Sequence, residues 1–220
     1  MKAYAIVPIK RLDMAKTRLS KILNDEERIR LTLAMLKDVL RAIRDSKIEQ
    51  TYLIGANREV AEIAKEESNV FLWDRGEGLD KAVELANETC CSDGAETTIF
   101  VPSDLPLLTS CDLNNILELI HKGVQVVITP SKNLGTNILA RKPPTVIPTS
   151  FGEKSFRKHI KLSRERDVKY EIYKSRNVLL DVDSINDLLY VLKTDKNLET
   201  KRFLENIRIT DRIKTESILF

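Results

Sequence analysis

The sequence predicts an α/β fold with a single domain, in which a mostly parallel sheet is flanked by helices. Short apolar segments rich in β-branched residues alternate with longer amphipathic segments over most of the 220 residues. Such alternation is typical of consecutive β-α units, whose strands lie parallel with helices on both faces. Because this length supplies one substantial core and no repeat or linker divides it, we predict one domain over residues 1–195 and a C-terminal extension over 196–220.

Each element in the first half follows from its own pattern. The first strand is expected at Ala3–Pro8, an apolar run. The segment 25–44 carries apolar residues at helical spacing and opens with Asn24-Asp25-Glu26-Glu27, a typical helix start. Further strands are expected at Tyr52–Gly55, Val70–Trp73, Thr97–Pro102 and Val124–Pro130. The helices between them are expected at 58–67, 79–91 and 110–121.

The alternation weakens after residue 130. Segments rich in Gly, Pro, Ser and Thr are expected to be loops at Asn133–Arg141, Pro143–Pro148 and Phe151–Ser155. The elements that follow are a helix over 154–165, strands near 168–173 and 177–182, and a helix from Ser184 to Lys193. The charged tail ends in Ser-Ile-Leu-Phe, so we expect a helical extension that packs on its own domain or on a second subunit of a homodimer.

Composition excludes several functions. The 36 basic residues are interleaved with 33 acidic ones, and a net charge of only +3 argues against nucleic-acid binding. No apolar run approaches the roughly 18 residues that span a bilayer, and no signal peptide precedes the first strand, so a cytoplasmic protein without membrane contact is expected. Three cysteines without paired spacing and two histidines indicate neither a zinc site nor a Ser-His-Asp hydrolase.

The most informative residue is Asp104, which follows a buried strand. That strand would deliver its carboxylate to the carboxyl edge of the sheet, where open α/β sheets bind ligands. Pro102 and Pro106 restrict the backbone on either side, and a carboxylate held there suits a divalent cation that bridges phosphates. Asp104 could instead cap the next helix, but Thr109 and Ser110 are better placed to do so.

A second acidic site is the pair Asp181 and Asp183. Their spacing places both side chains on the same face of an extended segment, where they repel each other unless a cation such as Mg²⁺ lies between them. Capping of the following helix by Asp183 or Ser184 is the alternative, and it would leave Asp181 unexplained. The spacing alone leaves both interpretations open.

Two further segments are typical of anion binding. Lys10, Arg11, Lys16 and Arg18 follow the first strand, where phosphates are commonly bound, although a solvated basic loop is the alternative. No glycine precedes Gly55, so neither a P-loop nor a Rossmann fingerprint is present.

The second segment is a pair of loops after residue 130. Gly152 and Ser155 at a helix start, together with Gly135-Thr-Asn137, resemble a small anion pocket, although Ser155 would also serve as an N-cap.

Together these segments resemble the 2-phospho-L-lactate guanylyltransferase family. The motifs occur in the family's order over residues 4 to about 190: Pro8-Ile-Lys-Arg-Leu-Asp-Met-Ala-Lys-Thr-Arg-Leu, Pro102-Ser-Asp-Leu-Pro-Leu-Leu, Gly135-Thr-Asn, Phe151-Gly-x-x-Ser-Phe and Asp181-Val-Asp. The resemblance implies a nucleotidyltransferase domain of the nucleotide-diphospho-sugar transferase type, a GT-A-like, Rossmann-like fold. It also implies that GTP and 2-phospho-L-lactate, or phosphoenolpyruvate in bacterial relatives, give a diphospho-guanosine product and pyrophosphate. This is a step in coenzyme F-420 biosynthesis, and the product would pass to the next enzyme of the pathway.

The resemblance also implies roles for residues. Catalysis would depend on Lys16 and Asp104. Nucleotide binding is implied for Pro8, Lys10, Lys16, Arg18, Gly78, Asp80 and Ser103. Mg²⁺ would be held by Asp104, Asp181 and Asp183, and the phosphorylated three-carbon acid by Thr136, Gly152 and Ser155. The family usually has asparagine where this chain has Asp80, and an ionised Asp80 accepts hydrogen bonds but does not donate them.

Three other functions stay open at this point. The chain could be a nucleotidyltransferase for another phosphorylated acceptor, such as a molybdenum-cofactor-like compound or a sugar phosphate. It could be a glycosyltransferase that uses Asp181-Val-Asp183 as a metal-binding D-x-D motif. It could also be a protein that binds GTP without catalysis.

Overall fold

A computed structural model describes the backbone of residues 1–218 and the side chains of residues 1–213. The strands are β1 (Ala3–Pro8), β2 (Gln50–Gly55), β3 (Val70–Trp73), β4 (Thr97–Phe100), β5 (Val126–Pro130), β6 (Thr136–Arg141) and β7 (Tyr170–Ile172). The helices are α1 (Asp25–Arg44), α2 (Arg58–Glu66), α3 (Leu79–Ser92), α4 (Ser110–His121), α5 (Ser155–Glu165), α6 (Arg176–Leu179), α7 (Ile185–Leu192), α8 (Glu199–Asn206) and α9 (Ile209–Ile218).

The described strands form one sheet in the order β3-β2-β1-β4-β6-β5-β7. Every pair is parallel except those of β6, which runs antiparallel to β4 and β5. The prediction of a mostly parallel α/β sheet is therefore confirmed. Because β6 is reversed, its first residue, Thr136, lies at the same edge as the carboxyl ends of β1 and β4. Elements that are distant in sequence thus meet at one edge of the sheet.

The prediction of a loop over Asn133–Arg141 is wrong, because Thr136–Arg141 is a fully buried strand. The polar residues of this strand give it the sequence pattern of a loop. The Asn137 side chain donates to the Val178 carbonyl at 2.8 Å, and Arg141 donates to Asn87 at 2.9 Å, so both are satisfied by partners far away in sequence. Composition alone could not distinguish these buried polar groups from exposed loop residues.

The predicted strand at 177–182 is also wrong. Residues 176–179 form the short helix α6, which Ser175 caps through the Val178 amide, and an irregular segment follows. The apolar residues that suggested a strand, Val178 and Val182, are buried by tertiary packing. The amide of Val182 donates to the Asp104 carbonyl at 3.1 Å, which ties the segment to the end of β4.

A separate apolar cluster packs against the loops at the sheet edge where β1 and β4 end. Leu19, in the loop after β1, and Val182 share this cluster with Phe203 and Leu204 of α8. The side chain of Asp38 on α1 accepts hydrogen bonds from the first amides of α8, at 2.8 and 2.9 Å. The positions of the two loops therefore depend on α8.

Two further expectations concern the homodimer and the membrane. The apolar tail end, on which the homodimer expectation depends, lies outside the residues whose side chains are described. Across the described helices, none has both the length and the apolarity to cross a membrane.

Candidate active site

A cleft of about 490 Å³ opens at the edge where β1 and β4 end and β6 begins. It is lined by the predicted site residues Pro8, Lys10, Lys16, Arg18, Ser103, Asp104, Thr136, Gly152, Ser155, Asp181 and Asp183. Asn137 and Phe151, which belong to the predicted motifs, also line it, as do residues that the sequence did not single out: Thr32, Leu79, Phe100 and Ser131. The cleft thus joins residues from loops that are far apart in sequence.

The loop after β1 is shaped to present Lys16. Two short 3-10 turns, Leu12–Met14 and Thr17–Leu19, flank Lys16, whose backbone is left-handed with φ of 50°. Beneath the loop, the buried Arg28 guanidinium donates to the carbonyls of Ala15 at 3.2 Å and Leu23 at 3.4 Å. Because a non-glycine residue rarely adopts this conformation, these contacts are what hold the backbone of the loop at Lys16.

The Lys16 ammonium joins two carboxylates that are far apart in sequence. Its Nζ lies 2.7 Å from Asp104 Oδ2 and 2.9 Å from Asp183 Oδ1, and only 8% of its side chain is exposed. Burial alone would lower the pKa of Lys16, but the attraction of Asp104 and Asp183 outweighs it and the pKa is raised. Lys16 is therefore a fixed positive charge in the cleft. Arg18 adds a second, exposed cation 3.8 Å from Asp183 Oδ2.

The carboxylates of the cleft are not used as helix caps. Thr109 and Asp112 form the capping box of α4, and Ser184 and Asp187 form that of α7. Of the predicted capping candidates, Thr109 caps α4 and Ser184 caps α7, so neither Asp104 nor Asp183 is a helix cap. All three carboxylates remain available to a ligand.

Asp181 has the least compensated carboxylate of the three. Its Oδ1 is buried and has no hydrogen-bond partner in the structure. Burial, together with repulsion from Asp104 and Asp183, raises the pKa of Asp181. A buried acceptor without a partner costs stability, and a bound cation would supply the missing contact.

The donor chemistry suits a hard divalent cation, although the site is not a closed cage. Within the described residues, no three acidic, histidine or cysteine side chains converge closely enough to hold a metal ion by themselves. Mg²⁺ is commonly bound by one or two carboxylates together with water and substrate phosphates. The uncompensated Asp181 oxygen beside Asp104 and Asp183 fits such an ion when nucleotide phosphates complete its coordination.

Asp181→Asn is expected to stabilise the ligand-free protein. Because the folded-state pKa is raised, ionisation of Asp181 costs folding stability as pH rises through it, and the amide removes that cost. We expect Tm at neutral pH to rise by about 2–4 °C, corresponding to about 1 kcal/mol in a protein of this size. Thermal denaturation should show the gain shrink as pH falls through the raised pKa of Asp181 and disappear once the carboxyl is protonated in both the folded and the unfolded protein. A lower Tm at neutral pH would contradict this description of Asp181.

Another part of the cleft lining presents hydroxyl groups and a backbone amide. Thr136 begins β6, and Ser155 is the first residue of α5 and only 2% exposed. Ser155 is not the N-cap, a position that Lys154 occupies without a side-chain hydrogen bond. Gly152 has φ of +94°, a conformation that side chains rarely adopt, and it keeps this part of the loop open. This group can donate hydrogen bonds to an anion.

Gly78 and Asp80 are placed differently from the other predicted residues. Neither is among the described residues that line the cleft, although their neighbour Leu79 is. Gly78 is the N-cap of α3, and the carboxylate of Asp80 accepts the Phe151 amide at 2.9 Å. Asp80 therefore anchors the loop that carries Gly152. A nucleotide contact at this position stays a prediction.

Sequence analysis missed His159, which is fully buried behind Thr136. Its Nδ1 lies 2.9 Å from Thr136 Oγ1, and its Nε2 accepts the Ser150 amide at 3.0 Å. The signal was present in the helix spacing, because His159 follows Ser155 by four residues and shares its face of α5.

Solved structures share the architecture of this chain. A nucleotide-diphospho-sugar transferase from Desulfovibrio desulfuricans G20 superposes with a TM-score of 0.77 at 18% identity, covering 95% of this chain and 97% of that one. A nucleotidyl transferase from Methanothermobacter thermautotrophicus superposes with a TM-score of 0.65 at 15% identity, covering 93% of this chain and 99% of that one. These two likenesses establish the fold of the chain, which it shares with both transferases.

Sequence comparison then gives the family. The model of the family described as "Guanylyl transferase CofC like" matches residues 3–219, so the chain belongs to this family. It is 34% identical to a phosphoenolpyruvate guanylyltransferase of Rubrobacter xylanophilus over 86% of this chain and 92% of that protein. It is also 34% identical to a 2-phospho-L-lactate guanylyltransferase of Methanothermobacter thermautotrophicus, over 96% of this chain and 93% of that protein.

Proposed function

We propose that this protein condenses GTP with 2-phospho-L-lactate or phosphoenolpyruvate and releases pyrophosphate, a step in coenzyme F-420 biosynthesis. The observation that carries the proposal is the meeting of two groups in one cleft. The Lys16, Asp104 and Asp183 cluster lines the same cavity as the Thr136, Gly152 and Ser155 group. The first group suits a triphosphate and the second a small phosphorylated acid. The names of the family and of the similar proteins agree with this pairing.

The nucleotide phosphates would bind beside the loop after β1. Lys10, Lys16 and Arg18 supply three positive charges to the cleft, and Ser103 adds a hydroxyl group. Charge-assisted hydrogen bonds from such groups are the strongest that phosphates receive in proteins. Because Lys16 bonds to carboxylates in this structure, we infer that its ammonium exchanges at least one of them for a phosphate oxygen when GTP binds.

The phosphorylated acid would bind at the group formed by Thr136, Gly152 and Ser155. Its phosphate and carboxylate offer acceptors, and the hydroxyls of Thr136 and Ser155 and the amide of Gly152 are donors. Phe100 and Phe151 line the same cavity, with ring centroids 4.2 Å apart, and would contact the short carbon chain. This arrangement accommodates one anion with a small apolar part.

The reaction would be an in-line displacement at phosphorus. An oxygen of the acceptor phosphate attacks the α-phosphorus of GTP, and the bond to the oxygen that bridges the α- and β-phosphorus atoms breaks. The electron pair leaves with pyrophosphate. No general base is needed, because the attacking phosphate oxygen is already anionic at neutral pH. The barrier is electrostatic, since two anions must meet and the transition state spreads their charge.

The protein's cations would lower this barrier. Lys16 and Arg18 reduce the repulsion between acceptor and nucleotide, and the anchored Thr136 and Ser155 hold the acceptor in line. Asp104, Asp181 and Asp183 would hold Mg²⁺, which supplies charge neutralisation of the phosphates when bound. The metal assignment rests on the uncompensated Asp181 oxygen and on the three carboxylates.

The direct test measures pyrophosphate release with purified protein and Mg²⁺. GTP, ATP and CTP are each combined with 2-phospho-L-lactate, phosphoenolpyruvate, 3-phosphoglycerate or a sugar phosphate. The proposal expects pyrophosphate only with GTP and one of the first two acids. Release with another acceptor alone would assign a different nucleotidyltransferase reaction. Sugar-nucleotide hydrolysis would instead favour the glycosyltransferase, and GTP binding without turnover would favour the non-catalytic alternative.

Thr136→Val is expected to raise KM for the phosphorylated acid about tenfold or more while KM for GTP changes little. The substitution removes one hydroxyl donor to an anion, worth about 1.5–3 kcal/mol, and keeps the side-chain shape. Thr129→Val on β5 is the matched control, because the Thr129 hydroxyl is buried without a partner and lies outside the cleft. Steady-state kinetics that show equal changes for both substrates would refute the placement of the acid at Thr136.

The proposal extends to the surroundings of the enzyme. A cytoplasmic location is expected, because the substrates are soluble metabolites of the cell interior. The homodimer and the passage of product to the next enzyme of the pathway also belong to the proposal. Sedimentation of the full chain would test whether it forms a homodimer.

A further inference from the structure

The environment of His159 determines which of its nitrogens carries a proton. The ring is fully buried between β6 and the loop that precedes α5. The amide of Ser150 points at Nε2 at a distance of 3.0 Å, and an amide can only donate. Nε2 must therefore be the acceptor, which places the single proton of a neutral ring on Nδ1.

This tautomer fixes the role of the Thr136 hydroxyl. With its proton on Nδ1, His159 donates to Thr136 Oγ1 at 2.9 Å. Among the described residues, Thr136 Oγ1 has no other hydrogen-bond partner, and the residue lines the cleft. The hydroxyl hydrogen is therefore free to point into the cleft. The opposite polarity would direct that hydrogen at the ring and present lone pairs to the incoming anion.

We propose that His159 is a positioning residue for the acceptor pocket, which makes the Thr136 hydroxyl an obligatory donor to the phosphorylated acid. The inference rests on the proposed function for the identity of that ligand. The phosphate and carboxylate of the acid are acceptors, so a hydroxyl of the wrong polarity would repel them. His159 also ties Thr136 on β6 to Ser150 in the loop, and so holds the two sides of the pocket together.

The ring is kept neutral by its surroundings. Burial, followed by the nearby positive charge of Arg141, lowers the pKa of His159 to about 4. Asp80 acts in the opposite direction and Lys158 adds to the lowering, and neither reverses the result. A doubly protonated ring would also bring an N–H against the Ser150 amide. The donor polarity at Thr136 is thus maintained throughout the neutral pH range.

The first test is nitrogen NMR of the histidine rings at neutral pH. The chain has two histidines, and His121→Gln removes the exposed one without touching the cleft, so the remaining signals belong to His159. We expect a neutral ring with Nδ1 protonated and Nε2 bare, with or without ligand. A neutral ring protonated on Nε2, or a charged ring, would overturn the inference. The measurement requires no activity, so it stands apart from failure of the proposed function.

The second test compares two substitutions of nearly equal size. In His159→Asn the amide nitrogen lies where Nδ1 was and can still donate to Thr136, whereas in His159→Gln the side chain reaches only the Ser150 amide. We expect KM for the acid to rise about tenfold more in His159→Gln than in His159→Asn, with KM for GTP changed equally and little in both. Equal KM values for the acid in the two variants, or parallel changes for both substrates, would reduce His159 to a packing residue. If the wild type itself fails to release pyrophosphate, the proposed function fails while the NMR result still decides the tautomer.

Discussion

Asp104→Asn is expected to lower kcat by two orders of magnitude or more while the protein stays folded. The substitution keeps the shape of the side chain and removes the charge that pairs with Lys16 and would bind Mg²⁺. Losses of about 10²–10³ are typical when a positioned electrostatic group is removed. Asp104 is 28% exposed, and its backbone carbonyl still accepts the Val182 amide in the variant, so little change in Tm is expected.

Asp13→Asn is the matched control for this substitution. Asp13 lies in the loop after β1 and pairs with Arg11 at 2.6 Å, but it is exposed and does not line the cleft. We expect its kcat to remain close to the wild-type value. Near-normal turnover in folded Asp104→Asn would remove Asp104 from the catalytic assignment.

Lys16→Met is expected to affect catalysis and metal binding in opposite directions. Without the ammonium, the repulsion between GTP and acceptor is less compensated, so kcat/KM for GTP should fall about 10²–10³-fold. The same ammonium lies between Asp104 and Asp183 and competes with a cation for their oxygens. In the absence of nucleotide, Mg²⁺ should therefore bind the variant more tightly than the wild type, as measured by titration calorimetry.

Lys21→Met provides the control for Lys16→Met, since Lys21 is exposed in the same loop region and lies outside the cleft. Lys21→Met should change neither kcat/KM for GTP nor the affinity for Mg²⁺. Weaker Mg²⁺ binding in Lys16→Met would show that Lys16 organises the carboxylates instead of competing for them. Unchanged kcat/KM would exclude a phosphate contact.

The functional edge could be predicted from the sequence because the chemistry of sheet edges is general. Asp104 follows a strand and Lys16 follows another, and the carboxyl ends of parallel neighbours meet at one edge. The two residues are 88 positions apart in sequence and bond at 2.7 Å. To predict that contact, it is enough to know that β1 and β4 are parallel neighbours in the sheet. The pairing of Asp181 with this edge depended instead on the family resemblance.

The acceptor side could be predicted only in part. Residue types predict an anion pocket at Gly152 and Ser155 with Gly135-Thr-Asn137, and the family resemblance adds the phosphorylated acid as its ligand. The same residue types predict a loop where Thr136 begins a strand. Its reversal within the sheet brings Thr136 to the same edge as Asp104, and no local pattern encodes a reversal of strand direction. Asp80, expected at the nucleotide, anchors the Phe151 amide.

His159 illustrates why the rest of the site could not be predicted from the sequence. Its four-residue spacing from Ser155 could have placed it on the same helix face. Its role, however, depends on an amide at Ser150 and a hydroxyl at Thr136, which lie on two other elements. The direction of a hydrogen bond between side chains follows from three-dimensional neighbours and not from residue spacing.

The most direct test of the central claim follows the phosphorus atoms of GTP. Parallel reactions contain GTP labelled with ³²P at either the α- or the γ-position, Mg²⁺ and the phosphorylated acid that releases pyrophosphate. If one cleft joins the nucleotide to the acid, the α-label appears in the diphospho-guanosine product and the γ-label in pyrophosphate. Transfer of the γ-label to the acid, or its release as inorganic phosphate, would contradict this description of the site.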